Sequence, residues 1–145
     1  MTASPILKRD RLPGEARAAG VSLSILAVDD SSTNRLIMSR MLQALGHQVE
    51  TAASGEQAVE AAALRPFDLI LMDVHMPGIG GVEAARRIRA LPASSGAGPI
   101  VPVTADASSA DEDSYRLAGM AGVLAKPFSA TALLLMVERT LSEAD

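Results

Sequence analysis

The fold is decided by residues 69–73, Leu69-Ile70-Leu71-Met72-Asp73, where four apolar residues lead directly into a carboxylate. A short, uninterrupted apolar run is typical of a strand that is buried on both faces, as in a parallel sheet. Pro66 breaks the segment before the run, and Pro77-Gly78 marks a turn soon after it. The run therefore predicts a central strand that ends on Asp73.

Four more strands are predicted around this one, and each of the five is followed by a helix. The strands cover residues 25–28, 48–52, 100–103 and 123–125. The first helix begins among Ser31, Ser32 and Thr33 and ends before Gly46; the others cover residues 56–64, 82–91, 108–118 and 130–141. Five alternations with short connections predict an α/β fold with right-handed crossovers and a parallel sheet covered on both faces.

Pro102 is an exception to this pattern, because it lies inside the predicted fourth strand. A proline has no N–H group to donate to a neighbouring strand. Two interpretations remain open. Either the strand is distorted at Pro102, or this position points away from a partner.

Composition excludes several classes of function. The chain has 145 residues, enough for one domain, with 48% hydrophobic and 21% charged residues, as in ordinary soluble proteins. It has no cysteine, which excludes disulfides, thiolate metal sites and thiol catalysis. A net charge of −4 and 2% aromatic residues argue against a nucleic-acid-binding face.

The two parts of the chain differ in character. Residues 1–22 mix prolines, glycines and charges of both signs without periodicity, and we expect a flexible tail or linker there. Residues 23–145 are expected to form the folded domain. No secretory signal is visible and no apolar run is long enough to span a bilayer, so we expect no membrane partner and a cytoplasmic location.

Polar residues close the predicted strands at one edge of the sheet. Asp29 and Asp30 follow the first strand, Asp73 and Thr104 end the third and fourth, and Lys126 follows the fifth. Ligands of open parallel sheets bind outside the carboxyl ends of the strands. Three carboxylates in one pocket repel one another unless a cation is present, and their hard oxygens suit Mg²⁺. A carboxylate nucleophile with a lysine and a hydroxyl nearby suits formation of an acyl phosphate.

Four segments together resemble the response-regulator receiver family of two-component signalling. They are residues 25–30 (Ile-Leu-Ala-Val-Asp-Asp), 71–77 (Leu-Met-Asp-Val-His-Met-Pro), 103–105 (Val-Thr-Ala) and 125–128 (Ala-Lys-Pro-Phe). The resemblance covers residues 23–142 and implies a flavodoxin-like (βα)₅ fold with strand order 2-1-3-4-5. Asn34-Arg35 and the residues around Asp73 are most similar to receivers of hybrid sensor kinases, which implies a histidine kinase or an HPt domain as the phosphoryl donor.

The resemblance also implies a role for each site residue. Asp73 would be the phosphoacceptor, and Asp30, Asp73 and the backbone carbonyl of His75 would bind Mg²⁺. Asp29 would hold a metal-bound water.

The resemblance implies roles for three further residues. Thr104 would move with it as part of the switch, and Lys126 would pair with it. Pro127 is similar to the cis-proline of the family.

The sequence departs from the family at two places. Val123 replaces the aromatic residue that normally moves with the threonine, which puts the usual coupling in doubt. Gly80-Gly81 replaces an Asp-Gly pair, so we expect a looser loop. Tyr115 is not at the aromatic position, and we interpret it as a surface or partly buried helix residue, with a role in the switch as the alternative. His75 and Asp106 are interpreted as loop residues beside the pocket.

The sequence allows two roles for the last predicted helix. Residues 133–137, Leu-Leu-Leu-Met-Val, are apolar around more of the circumference than one core contact needs. The run indicates either a widely buried helix or an exposed patch that pairs with a second receiver in a homodimer.

Two other functions compete with the phosphoacceptor hypothesis. A degenerate receiver would serve as an interaction module, but the acidic pair, Asp73, Thr104 and Lys126 are all present. A phosphatase of the haloacid-dehalogenase type would carry Asp-x-Asp after the first strand. Asp29-Asp30-Ser31 does not match that motif, and the length leaves no room for a cap domain.

Overall fold

The computed structural model describes residues 22–92, 98–106 and 111–143, with side chains as far as Thr140. Residues 1–21 of the predicted tail and most of the loop before the fourth strand lie outside these ranges. No helix within them has the length and hydrophobicity of a membrane span.

Five parallel strands form one sheet in the order β2-β1-β3-β4-β5, which confirms the predicted α/β fold. The strands are β1 Ser24–Val28, β2 Gln48–Ala52, β3 Leu69–Asp73, β4 Ile100–Thr104 and β5 Leu124–Ala125. The helices are α1 Ser32–Ala44, α2 Gly55–Leu64, α3 Gly81–Arg89, α4 Glu112–Leu117 and α5 Ala130–Glu143. The predicted start of the fourth helix, residues 108–110, lies outside the described residues.

Helices cover both faces of the sheet. Alternate residues of a strand point to opposite faces, so Leu26 and Ile70 join one buried cluster while Ile25 and Leu69 join the other. The first cluster contains residues of α2, α3 and α4, and the second contains residues of α1 and α5. All five residues of β3 are buried, as expected for the central strand.

Local signals in the sequence set the ends of α1. The Ser31 hydroxyl accepts a hydrogen bond from Asn34 N at 3.3 Å and caps the helix. Gly46 follows the helix with φ of 96°, a backbone conformation that favours glycine. His47, directly after Gly46, is buried, and its Nδ1 accepts a hydrogen bond from Leu23 N at 3.1 Å.

Pro102 is accommodated without breaking β4, which runs without interruption. The carbonyls of Ile100 and Thr104 both accept hydrogen bonds from the β5 side. Because these groups alternate along a strand, position 102 faces the same side. Residue pairs with β5 begin only at Val103. The N–H group that Pro102 lacks therefore belongs to a position before the first of these pairs. β4 is therefore not interrupted at Pro102, which faces the β5 side but precedes the first residue pair with that strand.

The apolar run in α5 is mostly structural. Leu133, Met136 and Val137 are buried in the second cluster. Leu135 is 56% exposed and lies beside a shallow groove of about 410 Å³ that Phe128 and Arg139 also line. Most of the run therefore belongs to the core, and Leu135 is its exposed member.

Candidate functional site

Three carboxylates lie together where β1 and β3 end. Val28 pairs with Met72 in the sheet, so Asp29 and Asp73 follow as neighbours. Asp29 is 1% exposed and Asp73 is 3% exposed, whereas Asp30 is exposed to solvent. One carboxylate oxygen from each lies within 4.8 Å of the others. The predicted acidic cluster is thus formed, with two buried members and one at the surface.

The start of α1 fixes Asp29. Its Oδ1 accepts a hydrogen bond from Ser31 N at 2.9 Å, and its Oδ2 accepts one from Asn34 Nδ2 at 3.3 Å. The Arg35 guanidinium donates to its carbonyl oxygen at 2.9 Å. Sequence reasoning used Asn34 and Arg35 only as markers of similarity. The N-cap at Ser31 could have predicted their contacts with Asp29, because it places Asn34 and Arg35 in the first turn of α1, beside the end of β1.

Lys126 lies between the two buried carboxylates. Its Nζ is 2.9 Å from Asp29 Oδ2 and 3.3 Å from Asp73 Oδ1. Its backbone N–H donates to the carbonyl of Thr104 at 2.8 Å, which anchors it to the end of β4. The peptide bond from Lys126 to Pro127 is cis. The structure therefore brings a residue from the far edge of the sheet to the centre of the acidic cluster.

Burial and charge act in opposition on these groups. Burial and the Asp29 carboxylate raise the pKa of Asp73, and Lys126 and the His75 amide oppose that shift without cancelling it. Burial alone lowers the pKa of Lys126, but the hydrogen bond to Asp29 and the charges of Asp73 and Asp29 outweigh it and raise the pKa. One ammonium group thus compensates three carboxylates incompletely, and a bound cation would be favoured.

The loop after β3 packs tightly against Asp73. The His75 N–H donates to Asp73 Oδ1 at 3.3 Å, while the His75 side chain is exposed. A Cβ atom at Gly81 would lie 2.2 Å from the carbonyl oxygen of Asp73, closer than any real contact. The second glycine of Gly80-Gly81 thus serves close approach of the backbone, which the expectation of a looser loop missed.

Thr104 is fully buried at the end of β4, and Val103 before it pairs with Asp73. Its Oγ1 accepts a hydrogen bond from Asp106 N at 3.0 Å and donates to Asp106 O at 3.2 Å. The Asp106 residue itself is exposed. The hydroxyl is thus at the predicted edge of the sheet and is engaged with the loop backbone.

The interpretation of Tyr115 as a surface or partly buried residue was wrong, because its side chain is 5% exposed. It packs in the first cluster with Ala118, three residues further along the chain. A single apolar spacing in a helix of six residues does not define a buried face, so the sequence pattern did not place Tyr115 in the core. Val123, at the position of the expected aromatic residue, is 38% exposed.

The strand order and the acidic cluster beside a lysine define a class: the chain is a flavodoxin-like α/β domain of the CheY-like kind. The sequence matches the family profile of the response regulator receiver domain over residues 25–138. The chain belongs to this family, the receiver domains of two-component signalling.

Known proteins agree with this assignment. The chain is 39% identical to the signal transduction histidine-protein kinase BarA of Escherichia coli K12 over 107 residues, 74% of this chain and 12% of that protein. It superposes on chemotaxis protein CheY4 of Vibrio cholerae with a TM-score of 0.77 and 36% identity, over 81% of this chain and 97% of that one.

A third comparison concerns a receiver of a sensor kinase. The receiver domain of histidine kinase PA1611 from Pseudomonas aeruginosa PAO1, described with a magnesium ion in its active-site cleft, gives a TM-score of 0.74 and 37% identity over 83% of this chain and 98% of that one. The chain spans between 10% and 16% of the length of the curated sensor proteins it matches. Its similarity is to the receiver parts of hybrid sensor kinases.

Proposed function

We propose that this receiver accepts a phosphoryl group on Asp73 from a phosphohistidine of a histidine kinase or an HPt domain. One observation carries the proposal: a buried Asp73 carboxylate shares the Lys126 ammonium with Asp29. Such an arrangement keeps a nucleophilic oxygen beside a cation that can neutralise incoming phosphoryl oxygens. The domain thus acts as a signalling switch.

The donor set fits Mg²⁺. Carboxylate oxygens are the ligands this ion prefers, and it binds proteins through few of them while keeping several waters. Asp30 and Asp73, with the His75 carbonyl, would hold the ion, and Asp29 would hold one of its waters. When bound, Mg²⁺ neutralises charge on the carboxylates and the phosphoryl oxygens.

The residues of the chain perform the transfer by position and charge. A carboxylate oxygen of Asp73 forms a bond to phosphorus while the bond from phosphorus to the donor imidazole nitrogen breaks, and the imidazole leaves with the electron pair. Lys126, which Asp29 retains at 2.9 Å, then pairs with a phosphoryl oxygen. Thr104 exchanges its Asp106 contact for a hydrogen bond to another phosphoryl oxygen.

The alternatives account for fewer of these contacts. An interaction module without chemistry needs no lysine shared between buried aspartates. A phosphatase of the haloacid-dehalogenase type has its nucleophile after the first strand, whereas here the residue after β1, Asp29, is held by Ser31 and Asn34.

The proposal extends to the setting of the domain. We place it in the cytoplasm, as residues 23–145 following a tail or linker of residues 1–22. A second copy of the chain would pair through α5, where Leu135 is 56% exposed beside the groove.

The direct test is intact mass measurement after incubation with acetyl phosphate and Mg²⁺. We expect the wild type to gain one phosphoryl group and Asp73→Asn to gain none. Asp113→Asn, which removes an exposed carboxylate on α4, is the matched control and should behave as the wild type. A wild type that gains no mass would overturn the proposal.

A further inference from the structure

The hydroxyl group of Tyr115 is buried without a partner in the part of the chain that the structure describes. Its side chain is 5% exposed, and its oxygen has no hydrogen-bond partner among the residues that the structure describes. Buried tyrosine hydroxyls usually find a partner, so each exception calls for an explanation. If packing were the whole role of this side chain, a phenylalanine would fill the same space without the unpaired group.

The surroundings of this hydroxyl point to Thr104. Burial and the Asp111 carboxylate raise the pKa of Tyr115, the nearby Thr104 hydroxyl opposes them, and Asp106 adds to the rise. The two hydroxyl groups are therefore neighbours, although no hydrogen bond between them has normal geometry. The Thr104 hydroxyl is instead engaged with both the N–H and the carbonyl of Asp106.

We propose that Tyr115 is a positioning residue for Thr104. When Thr104 turns toward a phosphoryl group on Asp73, the Tyr115 hydroxyl replaces it as the hydrogen-bond partner of the Asp106 backbone. This inference rests on the proposed function. Before the exchange, Thr104 binds Asp106, and the Tyr115 hydroxyl has no partner among the described residues. After it, Thr104 binds the phosphoryl group, and the Tyr115 hydroxyl replaces the Thr104 contacts to the Asp106 backbone and gains a partner of its own.

The exchange connects the site to α4. Arg89 on α3 holds the far end of that helix, since its Nε and Nη2 donate to Gly119 O at 3.1 Å and 2.9 Å. Tyr115 lies on α4, so the exchange links the site to this helix. Val123 has no polar group with which to make a comparable bond, and it is 38% exposed.

The chain is well suited to a spectroscopic test. Tyr115 is its one tyrosine, and it has no tryptophan, so the near-ultraviolet tyrosine band reports on this hydroxyl alone. The probe is beryllofluoride with Mg²⁺, a mimic of the phosphoryl group whose binding is followed independently by ¹⁹F NMR. A phenol that begins to donate a hydrogen bond absorbs at longer wavelength, and we expect this red shift in the wild type.

Two variants separate the steps of the exchange. In Thr104→Val the Asp106 backbone permanently lacks its Thr104 contacts, so we expect the red-shifted band before the probe is added and no further change after it. In Tyr115→Phe the ring remains and only the hydroxyl is lost. Without the probe we expect a melting temperature equal to or above that of the wild type, because the substitution removes a buried unpaired group. We expect beryllofluoride affinity lower on the order of 5-fold, because the missing bond forms only in the bound state.

The outcomes distinguish this inference from the function on which it rests. Bound ¹⁹F signals with an unchanged tyrosine band would overturn the role of Tyr115 and leave the phosphoacceptor function standing. Equal affinity of the wild type and Tyr115→Phe would also overturn it. A wild type that shows no bound ¹⁹F signal would contradict the proposed function, and this inference with it.

Discussion

The ammonium group of Lys126 lies 3.3 Å from Oδ1 of Asp73. The two residues come from different parts of the sheet, since Asp73 ends the central strand and Lys126 follows the edge strand. Asp29, 2.9 Å from the same ammonium on its other side, makes the group a bridge between two buried acids. Removal of the Lys126 charge leaves two buried carboxylates without their shared cation, whereas removal of the Asp73 charge leaves Lys126 paired with Asp29. The site can therefore be tested by stability as well as by chemistry.

Lys126→Met should destabilise the fold in the absence of Mg²⁺. Loss of one partner leaves buried carboxylates uncompensated, and we expect a loss of roughly 1–3 kcal/mol, below the cost for a fully buried pair because solvent screens part of the interaction. Denaturant unfolding measures the difference, and added Mg²⁺ should recover part of it. Arg87→Met, which breaks an exposed pair with Glu83, is the control and should cost under about 1 kcal/mol. Equal effects of the two substitutions would contradict this account.

Asp73→Asn should stabilise the metal-free protein at neutral pH. Burial and Asp29 raise the pKa of Asp73 even after the opposing effects of Lys126 and His75 are counted. A raised native pKa means that the native state holds the proton more tightly, so wild-type stability falls as the pH rises from the unfolded-state pKa through the native pKa. Urea unfolding in EDTA should show the variant more stable above that window and equal below it. A variant that is less stable at pH 7 would contradict the prediction.

Alkaline titration should find Tyr115 ionising late. Burial, Asp111 and Asp106 raise its pKa, with Thr104 opposing, so phenolate absorbance should appear above the ordinary tyrosine range and rise together with unfolding. Because the native pKa exceeds that of the unfolded chain, wild-type stability falls as the pH rises above the unfolded-state pKa. Tyr115→Phe lacks this component and should lose less stability over the same range. Phenolate formation at the ordinary pKa in the folded protein would show that the hydroxyl is solvated.

Gly81→Ala should be far more damaging than Gly80→Ala. A Cβ atom at Gly81 would meet the Asp73 carbonyl oxygen at 2.2 Å, whereas one at Gly80 would lie 3.2 Å from Val74 O. We expect a cost of about 2–3 kcal/mol at Gly81 and under about 1 kcal/mol at Gly80. Thermal unfolding measures both costs. Reduced phosphorylation of Gly81→Ala would show that the added methyl group displaces the backbone of Asp73. Similar costs at the two glycines would contradict the close approach.

Leu135→Glu should reduce self-association without affecting the fold. Leu135 is 56% exposed on α5, whereas Met136 beside it is 8% exposed and belongs to the core, so only the first tolerates a charge. Sedimentation velocity measures the effect, with Leu64→Glu, 77% exposed on α2, as the control. A wild type that sediments as a monomer at all concentrations, with both variants identical to it, would exclude pairing through α5.

Much of the site was predictable because apolar strands lead directly to its polar residues. Asp29, Asp73 and Thr104 could be placed at one edge from strand periodicity alone. Tyr115 could not, because α4 has six residues and so short a helix defines no face by periodicity.

Other contacts depend on how separate segments meet. His47 is buried as an acceptor for Leu23 because two segments meet there that lie 24 residues apart in the chain. The direction in which Pro102 points was decided by its register against β5. Neither relationship has a local sequence pattern, so both had to be seen in the structure.

Pro102 has a consequence for dynamics. The edge of the sheet where it lies lacks one backbone donor and is covered by a strand of two residues, yet Lys126 follows that strand directly. Local opening of this edge would expose little of the core, so the free energy of opening should lie well below the free energy of global unfolding. Native-state hydrogen exchange should therefore find the amides of Leu124 and Lys126 among the less protected of the sheet and those of β3 among the most protected. Lys126 would then leave the two aspartates transiently while the rest of the domain stays folded.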